Sequence, residues 1–216
     1  MRNLLTLVFA FLPSSKTKNF ILRKLGWEIG DNVKIGSIIA QRLTTVKIGN
    51  FSVIQSMSIY RDVALEIGEN SGIGSWNWIS SAVPLKISSD YRGKLELGNG
   101  TFIHSRNYFD VTGGIKLGNF SSIAGVRSTF LTHQTDTVFN TRVCNQIWVG
   151  DHTMICSNTL LVPGGTIIGD RCVIAMGSVV KSGKYPSDSL YAGNPAVHKK
   201  STKGNWFSRN SQPKLQ

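Results

Sequence analysis

The chain has 216 residues and a formal net charge of +12, enough length for one substantial core and enough positive charge to expect acidic partners. Only 17% of the residues are charged and 22 are glycine, which suits a fold whose units bury one another in one elongated domain. No helix-turn-helix, RNA-recognition or zinc-finger pattern occurs, which sets nucleic acid aside and leaves an anionic membrane or a phosphate-rich small molecule.

Residues 4–12 are apolar and follow Arg2, but the run is too short to span a bilayer. No small-residue cleavage site follows Pro13-Ser14-Ser15, as a signal peptide requires. Over residues 18–27 basic and apolar side chains alternate around Phe20, Ile21, Leu22, Arg23, Lys24 and Leu25. We expect residues 1–27 to form a helical cap over the open end of a solenoid. The alternative for the basic segment is a helix making peripheral contact with an anionic membrane surface.

Downstream, one tripeptide recurs seven times: an aliphatic residue, Gly, then Asp, Asn or Glu. The copies are Ile29-Gly30-Asp31, Ile48-Gly49-Asn50, Ile67-Gly68-Glu69, Leu97-Gly98-Asn99, Leu117-Gly118-Asn119, Val149-Gly150-Asp151 and Ile168-Gly169-Asp170. Their first residues step by 19, 19, 30, 20, 32 and 19. A fixed period of this size marks stacked repeats. Inside it runs a six-residue period, as in Val149, Ile155, Leu161 and Ile167, with small residues such as Ser52, Ser71, Thr101, Ser121, Thr153 and Cys172 four places after the aliphatic one. An amphipathic helix needs spacings of three and four. Six fits a short strand plus a tight corner, with Gly and Asn supplying the positive φ that corners often use. Three hexapeptides then make one triangular coil, and the expected fold is an all-β solenoid over residues 28–198.

The two long steps should eject loops near residues 80–92 and 130–146. The second contains His133. After residue 180, Pro186 and Pro195 oppose regular structure, and residues 199–216 read as a basic tail with at most one short ordered element around Trp206 and Phe207. The cysteines, Cys144, Cys156 and Cys172, are odd in number and fit no metal spacing. Cys156 and Cys172 fall in the repeat as small core residues, which points to a reducing, cytoplasmic compartment.

The hexapeptide run, residues Ile147-Trp148-Val149-Gly150-Asp151, the turn Pro163-Gly164-Gly165 and the closing Ala192-Gly193-Asn194-Pro195-Ala196 together resemble the hexapeptide-repeat acyltransferases. The nearest branch resembles the maltose, galactoside and virginiamycin-type enzymes and the O-acetyltransferases of surface-polysaccharide clusters. The resemblance implies a left-handed parallel β-helix, a hand that periodicity alone does not show. It implies acetyl transfer from acetyl-CoA to a hydroxyl of a sugar or surface-glycan precursor, without a metal. It also implies a homotrimer with active sites between subunits.

It further implies that the histidine of Thr132-His133-Gln134 is the catalytic base. Histidine titrates near neutrality, so it can take a hydroxyl proton during attack and return it to the departing thiolate. By the same resemblance Trp148, Ser157, Asn158, Ala175 and Gly177 are expected along the coenzyme arm, and Lys181, Lys199 and Lys200 at its phosphates. The expected acceptor set is His104, Arg106, Asn107 and Asp136, with Tyr108 and Asp110 beside the first three; Asp136 could instead orient the imidazole or simply be solvated. His152 and His198 read as a turn residue and a phosphate neighbour. Three rivals stay open: an N-acetyltransferase on an amino-sugar, a γ-type carbonic anhydrase, and a non-catalytic scaffold. The second needs a close histidine pair that the sequence lacks.

Overall fold

The computed structural model describes residues 2–82 and 91–210, and the repeat appears in it as three long sheets. The first face has eight strands, from Glu28–Ile29 to Gly183–Tyr185. The second has nine, from Lys34–Ile35 to Val197–Ser201, and the third seven, from Ile39–Gln41 to Val179–Val180. Successive coils pair in parallel, so the aliphatic residues of the tripeptides stack: Ile29 on Ile48, Ile67, Leu97, Leu117, Val149 and Ile168. All are buried. Ile54, Ile73, Ile103 and Ile123 form the second inward column, and Phe109 stacks on Phe130 at 4.6 Å in the third.

Coil-to-coil contact explains the rest of the tripeptide. A Cβ on Gly118 would lie 2.7 Å from the Asp151 nitrogen of the next coil. The third residue accepts a hydrogen bond from the preceding coil: Asn50 Oδ1 from the Asp31 N–H at 2.8 Å, Asp151 Oδ1 from the Asn119 N–H at 2.6 Å, Asp170 Oδ1 from the Asp151 N–H at 2.9 Å. The small residues form a second ladder. Thr101 Oγ1 donates to the Gly118 carbonyl at 2.5 Å and accepts from the Ser121 N–H at 3.2 Å, and Ser121 repeats this with Gly150 and Thr153. Gly118→Ala should therefore force two coils apart and cost about 1–3 kcal/mol, read as a lowered urea midpoint; an unchanged midpoint would contradict this packing.

Glycine and asparagine are not alone at positive φ. One corner column holds Asn32, Phe51, Asn70, Phe120, His152 and Arg171, with φ of 59° at Phe51 and 54° at Arg171. Each N–H beyond the first coil bonds the previous one, as Phe51 to the Asp31 carbonyl at 2.8 Å and Arg171 to the Asp151 carbonyl at 2.8 Å. The stack thus holds side chains in a conformation that costs roughly 1–2 kcal/mol.

The cap comprises two helices, α1 (Arg2–Phe11) and α2 (Lys16–Lys24), the latter N-capped by Ser15, whose hydroxyl accepts from the Lys18 N–H at 3.0 Å. α2 buries Leu22, and Arg23 donates to the carbonyls of Ile29 and Gly30. Residues 83–90, most of the first expected loop, lie outside the described residues. The second loop is an antiparallel hairpin, His133–Asp136 with Thr141–Cys144, and Val138 and Phe139 are exposed at its tip. The tail is more ordered than expected. Strand Val197–Ser201 crosses the anticipated boundary and pairs antiparallel with Ser189–Ala192. A 3-10 helix, Asn205–Ser208, follows; Arg209 stacks 3.5 Å from the Trp206 ring centre and donates to the Phe120 carbonyl. Among the described residues no helix is long and apolar enough to cross a membrane.

Candidate active site

The second loop leaves the solenoid at the corner between the third and first faces, and a buried carboxylate waits there. Asp110 ends the strand Tyr108–Asp110, one coil before Thr132-His133. His133 Nδ1 lies 2.7 Å from Asp110 Oδ2, and the His133 N–H donates to the same oxygen at 3.0 Å. Oδ2 also accepts from the Thr132 N–H at 2.8 Å, while Oδ1 accepts from the Thr112 N–H at 3.1 Å and the Thr112 hydroxyl at 2.5 Å. The glycine after Thr112 is required: a Cβ on Gly113 would run into the Asn145 carbonyl.

Burial alone would raise the Asp110 pKa. Hydrogen bonds from the Thr112 hydroxyl, the Thr132 N–H and His133 outweigh it and hold the carboxyl below its usual range. An ionised carboxylate only accepts, so Nδ1 carries a proton, and in the neutral imidazole the lone pair is then on Nε2. Asp110 is almost wholly buried while the His133 side chain is 38% exposed, so the imidazole is anchored at its inner nitrogen. The depressed value also links the site to acid stability. An unfolded aspartate titrates at about 3.9, so the unfolded chain takes up this proton first. The stability contributed is full above that pH and is lost as pH falls through the lower folded value. Wild type and Asp110→Asn should therefore converge in unfolding free energy as pH falls below about 4; parallel curves would dissociate Asp110 from acid unfolding.

A groove of about 470 Å³ adjoins this corner on the first face, lined by Asn145, Gln146, Trp148, Gly165, Ile167 and Ser182. Asn145 links groove and dyad, since its N–H donates to the Thr132 carbonyl at 2.8 Å. Trp148 projects outward, 48% exposed, with Lys116 Nζ 5.7 Å from its ring centre. Lys181 is exposed just past the end of the third face.

The other expected residues sit elsewhere. Ser157, Asn158, Ala175 and Gly177 lie at the corner between the second and third faces, where Ser157 Oγ accepts from the Val126 N–H at 3.2 Å and the Gly177 N–H donates to the Ser157 carbonyl at 3.1 Å. His104 and Arg106 are exposed on the same corner. Lys199 and Lys200 are exposed on the returning strand. Asn107 is buried in the scaffold: Oδ1 accepts from the Ser128 N–H, and Nδ2 donates to the carbonyls of His104, Ser105 and Gly125. Asp136 shapes the hairpin turn, its Oδ1 accepting from the N–H groups of Val138 and Phe139, so the residue that orients His133 is Asp110. His152 stacks on Phe120 at 5.2 Å; burial and nearby Arg209 lower its pKa. His198 lies edge-on to Tyr191. Among the described residues no three His, Cys, Asp or Glu side chains converge as a metal site would need.

No protein-family model matches the sequence, and no curated protein sequence matches it. Solved structures do. A hexapeptide-repeat containing acetyltransferase from Vibrio cholerae is 24% identical, aligning 64% of this chain with 74% of its own at a TM-score of 0.53. A maltose O-acetyltransferase from Clostridium difficile 630 is 19% identical over 64% of this chain and 70% of its own, TM-score 0.53. AntD, an N-acyltransferase from Bacillus cereus in complex with dTDP and 3-hydroxybutyryl-CoA, is 18% identical over 86% of this chain and 88% of its own, TM-score 0.57. These likenesses establish the fold: the chain is a left-handed parallel β-helix of the hexapeptide-repeat kind, with two capping helices.

Proposed function

We propose that the protein is an acyltransferase that moves an acetyl group from acetyl-CoA to a hydroxyl of a sugar or glycan precursor, with His133 as general base. The observation that carries this is the buried Asp110 carboxylate on His133 Nδ1, which leaves Nε2 of the neutral ring as the base, in a loop that the groove residue Asn145 joins through the Thr132 carbonyl. Nε2 takes the hydroxyl proton as the oxygen attacks the thioester carbonyl. The tetrahedral oxyanion collapses, the carbon–sulfur bond breaks, and the thiolate recovers the proton from the imidazolium. Asp110 stays ionised throughout and positions the ring.

Two features support a homotrimer with shared sites. Trp148 and Lys181 flank the His133 corner, whereas Ser157, Asn158, Ala175 and Gly177 occupy a different corner. A single site using both sets needs a second copy of the chain. The third face supplies a surface for it, because its outer row, Ile39, Ile59, Trp78, Tyr108, Thr129, Leu160 and Val179, is apolar except at Thr129 and passes two residues from Asp110. In such an assembly Lys181, Lys199 and Lys200 are our candidates for the coenzyme phosphates, and His104 and Arg106 for the acceptor.

The test is to incubate the purified protein with acetyl-CoA and a panel of sugars, amino-sugars, nucleotide sugars and glycan fragments, following free CoA and product by mass spectrometry. An acceptor-dependent ester supports the proposal. An amide moves the acceptor to an amino-sugar while keeping the same base. If no acyl-CoA is consumed with any acceptor, the scaffold alternative replaces it.

A further inference from the structure

α1 turns much of its apolar surface away from the core. Its fully buried positions are the small residues Thr6 and Ala10, one turn apart, with Phe9 half-buried against the core beside them. Most of the bulky apolar residues face out: Leu4 is 65% exposed, Val8 52% and Phe11 54%, with Leu5 and Leu12 beside them. Phe20 of α2 adds a sixth, 58% exposed. A helix serving only to close the core would turn its leucines and phenylalanines inward. The helix is also held firmly in this orientation. The Ala10 carbonyl accepts from the Ile38 N–H at 3.0 Å and from the Lys18 ammonium at 2.7 Å.

The charge carried by the cap itself is of one sign. Residues 1–27 hold Arg2, Lys16, Lys18, Arg23 and Lys24 and no Asp or Glu. Lys18 is buried; the other four are exposed, and Lys24 Nζ sits 5.6 Å from the Phe20 ring centre. From this we infer that α1 and Phe20 form a docking surface for an anionic lipid bilayer, the apolar side chains entering the headgroup–acyl boundary and the exposed cations facing the lipid phosphates. The chemistry favours lipid over a second copy of this face, because two such faces would bring like charges together. A lipid-seated end would hold the solenoid against a surface, and this inference stands whether or not the protein transfers acyl groups.

The experiment is flotation with phosphatidylcholine vesicles, with and without phosphatidylglycerol. The wild type should float with the anionic vesicles and much less with the neutral ones. Leu4→Ser/Val8→Ser/Phe11→Ser should lower the bound fraction at limiting lipid by about tenfold, with an unchanged melting curve and oligomeric state. Lys16→Glu/Lys24→Glu should lower it as well, and high salt should mimic this variant. Absence of wild-type flotation, or serine variants that float normally, would overturn the inference. So would serine variants that change oligomeric state without changing flotation, because the face would then be covered by a second copy.

Discussion

Replacing His133 with alanine is expected to lower acyl transfer by about 10²–10⁴-fold, without moving the unfolding midpoint. The size follows from what is removed. Among the described residues a sugar hydroxyl has no other base placed for it at this corner, and the thiolate loses its proton source as well. The midpoint should hold because the ring is 38% exposed on its side-chain surface and its main contact is Asp110, which keeps its bonds to Thr112 and Thr132. Binding of acetyl-CoA should persist, since the groove is lined by Trp148, Ile167 and Gly165. Asp110→Asn should also reduce kcat, by a different route. An asparagine can present its Nδ2 to the ring, which favours the tautomer protonated on the outward nitrogen, so Nε2 becomes a donor. Stopped assays with both variants at saturating acetyl-CoA check this. Full activity in His133→Ala would move the base elsewhere, with exposed His104 the next candidate.

The tripeptide made the fold legible because each of its three residues meets an independent demand. The aliphatic residue fills the core, Gly118 allows the next coil within 2.7 Å of a Cβ position, and Asp151 bonds the coil before it. Repetition multiplies that signal seven times. The placing of His133 in an ejected loop was legible too, since a long step in a regular solenoid shows where a loop must leave. Asp110 was harder. It lies 23 residues from His133, and only the coil length brings it underneath. A signal did exist: Asp110-Val111-Thr112 places a carboxylate at a strand end before Gly113-Gly114, where a solvated aspartate has no need of two glycines. The corner side chains misled for a different reason. Local preference puts Gly or Asn at positive φ, but bonds between coils override it at Phe51, Phe120 and Arg171. Asn107 resembled a site residue because buried asparagine ladders and exposed asparagines have the same spacing in a repeat.

Lys18 is the residue on which we expect the cap to depend. Its ammonium lies 2.7 Å from the Ala10 carbonyl, 2.8 Å from Leu12, 3.1 Å from Ile35 and 2.7 Å from Gly36. Ala10 lies in the last turn of α1 and Leu12 just past it, where helical carbonyls lack partners along the helix. Ile35 and Gly36 belong to the first coil. One cation therefore ties the end of α1 to the first coil through four carbonyls, of which that of Ala10 also accepts from the Ile38 N–H. Burial lowers its pKa to about 8, so it remains largely charged at neutral pH. Lys18→Met keeps the aliphatic stem and deletes every donor. The loss should approach about 3 kcal/mol, the usual consequence of stripping the partner from buried polar groups. Denaturant unfolding followed by far-UV circular dichroism gives the global term. Limited proteolysis locates it, with cleavage between residues 12 and 27 expected to quicken before the solenoid is cut, because α2 would lose its tie to both α1 and the first coil. A variant as stable and as protease-resistant as the wild type would mean that Leu22 and the Arg23 bonds to Ile29 and Gly30 suffice to seat the cap.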